Sequence, residues 1–277
     1  MDLSAAQPIT AEEDGTMNSI ATVDQLKAMR FSAMAKELEC QMKDIDSYRH
    51  LGFEERLGLL VDAEWNRRQE NKLKKRIHDA NLWFPAANMA EIEYLPERKL
   101  DRAELLRYST CRYIEQGHHI ILKGATGCGK TYIACALANA ACRKLKAVRY
   151  VRLPDLLDEL VIAHAEKSFS KVVKGYSKSD LLILDDWLLK PLSTEQAYDV
   201  LEIVESRVKR GAVIFCTQYD EKEDWHSRIN TDPDNDSPVA DAIVDRIVNN
   251  SYVVRVEGPS LREHFGRAAL KRDGEEP

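Results

Sequence analysis

The sequence predicts an α/β fold: a five-stranded parallel sheet flanked by helices and preceded by a small all-α module. Three observations carry that expectation. From about residue 100 onward, short apolar runs alternate with longer amphipathic segments, the pattern of a parallel sheet covered on both faces. Upstream, residues 23–82 read as helical throughout. At the first junction of the alternating region lies Gly124-Ala125-Thr126-Gly127-Cys128-Gly129-Lys130-Thr131, which fills every fixed position of G-x-x-x-x-G-K-[ST].

The elements follow in order. Residues 1–16 are acidic and polar and read as disordered. A helical N-terminal domain spans 17–82, with Met34, Leu38, Met42 and Ile45 as one apolar stripe. Phe53, Leu57, Leu60, Val61 and Trp65 form a second stripe after a break at Gly52. Residues 83–99 carry two prolines and broken periodicity, as a connector wrapping onto the next domain would. The α/β domain occupies 100–266, with strands expected at 119–123, 148–152, 181–185, 213–217 and 252–256. Helices are expected at 132–145, 194–210 and 239–248, and a helical pair at 154–176 is broken near Ser168. The Asp/Asn/Pro-rich stretch 231–238 is a loop, and 267–277 is a disordered tail.

Composition narrows the function. The chain is 44% hydrophobic, enough for a sizeable core, yet no run of about eighteen apolar residues suggests a membrane span. The polar, acidic start is unlike a signal peptide, so a cytoplasmic protein is expected. Six cysteines, at 40, 111, 128, 135, 142 and 216, form no C-x-x-C pair and no metal-ligand spacing, and read as reduced thiols, Cys135 and Cys142 as small core residues of an alanine-rich helix. The net charge of −6 restricts any nucleic-acid contact to local patches. One patch is WNRRQENKLKKRIH, from Trp65 to His78, with six cations against Glu70 alone. On a helix, Arg68, Lys72, Lys75 and Arg76 share a face beside Arg67 and fit a phosphate-contacting surface, although such runs are usually only solvated.

The glycine motif has a direct chemical reading. A phosphate chain approaches backbone only where side chains are absent, so glycines let successive N–H groups cradle the anion. The expected nucleotide-binding set is Gly124, Ala125, Thr126, Gly127, Cys128, Gly129, Lys130, Thr131 and Tyr132. Lys130 reaches the outer phosphates, and Thr131, opening a helix, offers its hydroxyl to Mg²⁺ beside the partial positive charge of the helix N-terminus. The apolar strand LLILDD supplies the complementary acids: Asp185 to organise the metal shell and Asp186 to position or polarise the attacking water. Together these imply ATP hydrolysis. A polar sensor of the outer phosphate is expected after the strand at 213–217, with Thr217 the first choice and Gln218 close behind.

The series GATGCGKT, LLILDDW, FCTQ, ADAIVDRIV and GPSLREHF, spread over about 100–265, resembles the IstB/DnaC-like clade of AAA+ ATPases, and specifically the IstB-type helper proteins of bacterial insertion sequences. The resemblance implies that Arg246 is an arginine finger reaching the ATP of a neighbouring subunit. It also implies that the pair at 154–176 lines a DNA path, where Lys167, Lys171 and Lys174 share a face. Two departures stand out. The second acid of the strand is usually Glu, one methylene longer than Asp186. After Val256 only 21 residues follow, too few for a typical C-terminal lid, so Arg262 stands in for the lid's nucleotide sensor. The implied activity is that of an ATP-dependent oligomer that binds and remodels double-stranded DNA and recruits a transposase. The alternatives are a replicative helicase loader of the same clade and a small-molecule P-loop kinase.

Overall fold

The computed structural model describes residues 21–208, 210–230 and 238–261. The expectations for 1–16, for most of the loop at 231–238, for Arg262 and for 267–277 lie outside those residues. The chain forms two compact units, Met1–Lys72 and Leu73–Pro277.

The first unit holds α1 (described from 21 to 28), α2 (Ser32–Lys43), α3 (Ile45–Tyr48) and the first part of the long α4 (Phe53–Asp79). Its interior is polar where α2 meets α4. Glu64 is buried and accepts from Arg67 Nη2 at 2.5 Å, Arg68 Nε at 2.8 Å and the Ala33 N–H at 3.1 Å. The Arg67 bond foremost holds its carboxyl down at about 2. Gln41, also buried, exchanges hydrogen bonds with Arg56. With a carboxylate and an amide pointing inward, the apolar stripe Phe53, Leu57, Val61 and Trp65 is left facing outward, Phe53 80% and Trp65 61% exposed. That reverses its expected role as packing surface.

The second unit begins inside α4. Leu73 and Ile77 pack on the α/β core, so the division falls at Lys72 and Leu73, ten residues ahead of the boundary expected at 82. The segment that follows is built from 3₁₀ turns at Met89–Glu91 and Pro96–Arg98. Leu82, Ala87 and Ile92 are buried in the core. Two short helices not anticipated from the sequence come next, α5 (Arg102–Ser109) and α6 (Arg112–Gln116). Asp101 caps α5 by accepting from the N–H groups of Ala103 and Glu104.

The alternating region forms as expected, within a few residues at each boundary. It runs β1 (His119–Lys123), α7 (Lys130–Arg143), β2 (Val148–Arg152), α8 (Leu153–Ala165), α9 (Phe169–Ser177), β3 (Leu181–Asp185) and α10 (Thr194–Arg207). It continues with β4 (Ala212–Thr217), a short α11 (Trp225–Ile229) that the sequence did not announce, α12 (Pro238–Val248) and β5 (Ser251–Arg255). The strands pair in parallel in the order β2-β3-β4-β1-β5. Because successive strand residues point to opposite faces, the sheet sorts them into two cores. Ile120, Leu122, Ile183, Ile214 and Cys216 lie under α5 to α7, while Ile121, Leu182, Leu184, Val213 and Phe215 meet α8 to α12. Cys135 and Cys142 sit in the first core, their thiols pushed up to about 11 by burial. Trp187 packs in the second core against Phe215 and Trp225.

His119 opens β1 in a buried position, and its Nδ1 accepts from the Val213 N–H at 3.1 Å. Burial holds the imidazole neutral, with its pKa pulled down to about 4. The unfolded chain binds this proton at about 6.5 and the folded one only near 4, so acid favours unfolding across that window. Between pH 7 and pH 4 the protein should lose about 3 kcal/mol through this residue, and Glu64 adds a further loss between about 4.5 and 2. Thermal unfolding followed by circular dichroism checks this: a Tm unchanged from pH 7 to pH 4.5 contradicts a neutral buried His119.

Candidate nucleotide-binding site

The site grows out of the carboxyl edge of the sheet, the place where ligands bind in open α/β folds. β1 ends at Lys123, and the loop to α7 turns sharply, with Gly127 and Gly129 at φ 84° and 96°. A Cβ on Gly124 would collide with the Val256 carbonyl oxygen, and one on Gly129 would stand 2.8 Å from Arg98 Nη2. The glycines are therefore required by close packing around the loop as well as by its turn. The Leu261 N–H donates to the Gly127 carbonyl at 3.0 Å, so the start of the SLREHF segment is seated on the loop. Lys130 Nζ donates to the carbonyls of Gly124 and Ala125, both at 2.8 Å, which keeps its charge within the loop.

Thr131, in the first turn of α7, donates its hydroxyl to Asp185 Oδ2 at 2.8 Å. The same oxygen accepts from Tyr150 Oη at 2.8 Å, and Asp185 Oδ1 accepts from the Asp186 N–H at 3.0 Å. A hydroxyl and a carboxylate placed together at the mouth of a phosphate loop are the hard oxygen donors that Mg²⁺ takes, with phosphate and water in its remaining positions. The residues present fit a magnesium-bound nucleotide.

Asp186 adopts a left-handed backbone, φ 52°, and its Oδ2 accepts from both Nε and Nη2 of Arg152 at 2.8 Å. Sequence reasoning did not find this bidentate partner, although Arg152 closes the β2 run that the sequence did identify. At the end of β4 the two sensor candidates differ. Thr217 is 2% exposed, donates to the Trp187 carbonyl and accepts from the Tyr219 N–H, so its hydroxyl is occupied within the fold. Gln218 is exposed and its Oε1 accepts from Thr126 in the loop at 3.0 Å. The side chain that reaches the loop is thus the second choice of the sequence. Beneath it, Lys123 is nearly buried and pairs with Asp220 at 2.5 Å and Glu221 at 2.8 Å, holding Asp220 down at about 2.

Further residues that the sequence left unmarked line the site. Arg98 is buried and donates to the carbonyls of Glu93 at 2.6 Å and Cys128 at 2.8 Å; burial lowers its pKa. A cavity of about 670 Å³ opens beside Gly127, Gly129, Lys130 and Thr131, with Phe84, Ile92, Ile133 and Leu261 as apolar walls. That volume lies within the usual range for small-molecule pockets. Tyr132 lines it too, its hydroxyl donating to Glu91 at 2.6 Å. A nucleotide whose phosphates lie in the loop has room there for its base. No signal of spacing or composition would have found Arg98 or the cavity, because both depend on the 83–99 segment folding back over the loop.

The remaining candidates stand apart from this centre. Arg246, on α12, donates to Glu205 Oε1 at 2.8 Å and to the Ala242 carbonyl at 3.0 Å, and is about one-third exposed. Lys171 and Lys174 on α9, with Lys167 just before it, are exposed and make no ion pair among the described residues. In the basic stretch of α4, two of the cations are already engaged. Arg67 and Arg68 are bound to Glu64, one residue upstream of the stretch counted above, and Arg68 also stacks over Phe31 at 4.8 Å. Lys72 and Lys75 are exposed, and Arg76 is half-buried. Among the described residues no helix is long and apolar enough to cross a membrane.

Comparison with known proteins agrees with this geometry. An insertion sequence ATP-binding protein of Sinorhizobium fredii is 34% identical over 246 residues, 89% of this chain and 97% of its own length. The ATP-binding protein of insertion sequence IS1162 from Pseudomonas fluorescens is 36% identical, covering 71% of this chain and 85% of its own. Among solved structures, DnaI overlays with a TM-score of 0.52 at 21% identity, covering 63% of this chain and 90% of its own. The replication initiator DnaA, bound to AMPPCP and single-stranded DNA, overlays with a TM-score of 0.52 at 18% identity, covering 69% and 56%. These likenesses establish the P-loop AAA+ fold. The family of IstB-like ATP binding proteins matches residues 24–269, and the chain belongs to it.

Proposed function

We propose that this protein is a magnesium-dependent ATPase that assembles as a homo-oligomer on double-stranded DNA, remodels it, and recruits the transposase of the same mobile element. The observation that carries the reading is the placement of the glycine loop, Lys130, Thr131 and Asp185 together at one sheet edge in a chain whose relatives are named as ATP-binding proteins of insertion sequences.

Magnesium, when bound, offsets the negative charge of the outer phosphates. The chain's own residues do the rest. Lys130 exchanges two backbone carbonyls for phosphate oxygens, while Thr131 and Asp185, already in contact, hold the metal side of the site. Asp186 is the group suited to take a proton from the attacking water, which requires its pair with Arg152 to open. Gln218 reports on the loop through Thr126. Arg246 leaves Glu205 to reach the nucleotide of the neighbouring subunit, supplying positive charge where the transition state needs it. Exposed Lys167, Lys171 and Lys174, with Lys72 and Lys75, supply phosphate contacts that become substantial only when many subunits align. The helicase-loader alternative has likeness of fold alone behind it. A pull-down that captures replicative helicase and no transposase would replace the present reading.

Lys130→Ala should weaken ATP binding at least about tenfold, the worth of charge-assisted phosphate bonds, and abolish nucleotide-dependent retention on DNA. Equilibrium binding and a filter or mobility assay at two salt concentrations measure both; DNA binding indifferent to ATP and to this change refutes the coupling. Arg246→Ala should retain ATP affinity and lose on the order of a thousandfold in turnover. Mixing the two variants should restore part of the turnover, because some interfaces then combine an intact loop with an intact arginine. Undiminished hydrolysis by Arg246→Ala alone excludes the intersubunit role.

A further inference from the structure

Arg98 brings a buried cation to the glycine loop from a segment outside it. It closes the 3₁₀ turn Pro96–Arg98, ahead of Lys99 in left-handed backbone, φ 49°. That turn is fastened to the chain just beyond β5: the Arg98 carbonyl accepts from the Glu257 N–H at 3.1 Å, and Lys99 pairs with Glu257 at 2.7 Å. From this base the side chain, 3% exposed, bridges two segments. Its Nη1 donates to the Glu93 carbonyl at 2.6 Å and its Nη2 to the Cys128 carbonyl of the loop at 2.8 Å. The Glu93 carboxylate attracts the guanidinium through space, yet among the described residues Arg98 forms no ion pair. Carbonyls hold it without cancelling its charge, an arrangement that burial makes costly.

The contact with Cys128 has a consequence for the next residue. The Cys128–Gly129 peptide is trans, so its carbonyl and its N–H point in opposite directions. By holding the carbonyl, Arg98 turns the Gly129 N–H away from itself, and among the described residues that N–H donates to no backbone acceptor outside the helices and strands. We infer that Arg98 is a positioning residue for phosphate: its bond to the Cys128 carbonyl aims the Gly129 N–H at a phosphate oxygen of the bound nucleotide. The inference rests on the assignment of this site to ATP and goes beyond it by naming the residue that keeps the loop in its binding shape. Peptide planes flanked by glycine swing easily, because no Cβ resists the rotation. A donor already fixed in direction costs less ordering when the ligand arrives. The preceding carbonyl, that of Gly127, is held in the same manner by the Leu261 N–H.

Competition against a fluorescent ATP analogue, with the full-length protein, compares ATP with inorganic triphosphate, which has the phosphate chain and no base. Arg98→Met fills the space without charge or donors and should lose about tenfold in affinity for both ligands, the worth of one hydrogen bond to a charged group. Arg98→Lys keeps the charge without the planar fork and should lose about threefold for both. Thermal unfolding without nucleotide shows whether each variant is folded. Wild-type affinity for both ligands in a folded variant overturns the inference. So does a loss for ATP with triphosphate unaffected, since Arg98 would then act on the cavity beside the loop. In unaltered protein labelled with ¹⁵N-glycine, the Gly129 amide proton should move downfield when triphosphate binds. An amide that stays in place overturns the inference even where both variants fail to fold. A wild-type protein that binds ATP but not triphosphate owes its affinity to the base and overturns it as well. Failure of the folded wild-type protein to bind either ligand brings down the nucleotide assignment itself.

Discussion

The nucleotide edge of this fold hangs on the Asp185 carboxylate. It is 5% exposed, and a carboxylate so placed costs several kcal/mol unless donors surround it. Three donors do: the Thr131 hydroxyl from α7, the Tyr150 phenol from β2 and the Asp186 N–H that follows β3. Each comes from a different part of the chain, so satisfying one acid fixes the start of α7 against the sheet and β2 against β3, where Arg152 is in register with Asp185. Burial first, and Asp185 second, push the Tyr150 phenol far up, which keeps it a donor at any ordinary pH. The placement of Thr131, at the start of α7, beside the end of β3 follows from that anchoring.

What the sequence disclosed and what it withheld divide along a physical line. The strands and the helices between them were legible because each carries its own period and is bounded by residues of known local preference, as the runs HIILK and LLILD illustrate. Thr131 and Asp185 were legible as partners because the chemistry of phosphate demands both. Contacts that join segments with no shared local signal were hidden. Arg152 looks like the last residue of a strand until β2 and β3 pair and bring it to Asp186. Arg98 lies in a stretch without periodicity, and its contact with the loop appears only when that stretch folds back. In the all-α unit the hydrophobic pattern misdirected, because the interior side of α4 is organised by Glu64 and its two arginines. The same pairing diminishes a basic patch that, counted one residue too late, had looked free.

The cations that the proposed function calls on are all held by acceptors they can relinquish. Lys130 rests on two carbonyls, Arg246 on half-exposed Glu205, and Arg152 on half-exposed Asp186. Partly exposed ion pairs are worth at most about 1 kcal/mol, whereas hydrogen bonds between a cation and phosphate are worth about 1.5–3 kcal/mol. Under the proposed function, exchange of Arg246 from Glu205 toward phosphate is therefore downhill and needs no rearrangement of the sheet.

The overall charge gives the proposed function a reason for coupling that exchange to assembly. A chain with net charge −6 has no long-range attraction for DNA. At physiological salt, however, the field of distant acids is screened beyond about 8 Å, so local lysines can still contact phosphate. In the proposed complex with DNA, the exposed lysines at and before α9 would give one subunit only a few such contacts, and a few counterions released confer weak binding. Affinity must then come from the number of subunits that bind together, because contacts of linked subunits compound. In the proposed assembly, Arg246 of one subunit at the nucleotide of the next would make that number a function of the nucleotide's state. Under the proposed function, the chain's acidity is what would make DNA binding depend on ATP: a strongly basic subunit would hold DNA alone, and hydrolysis would have nothing to release.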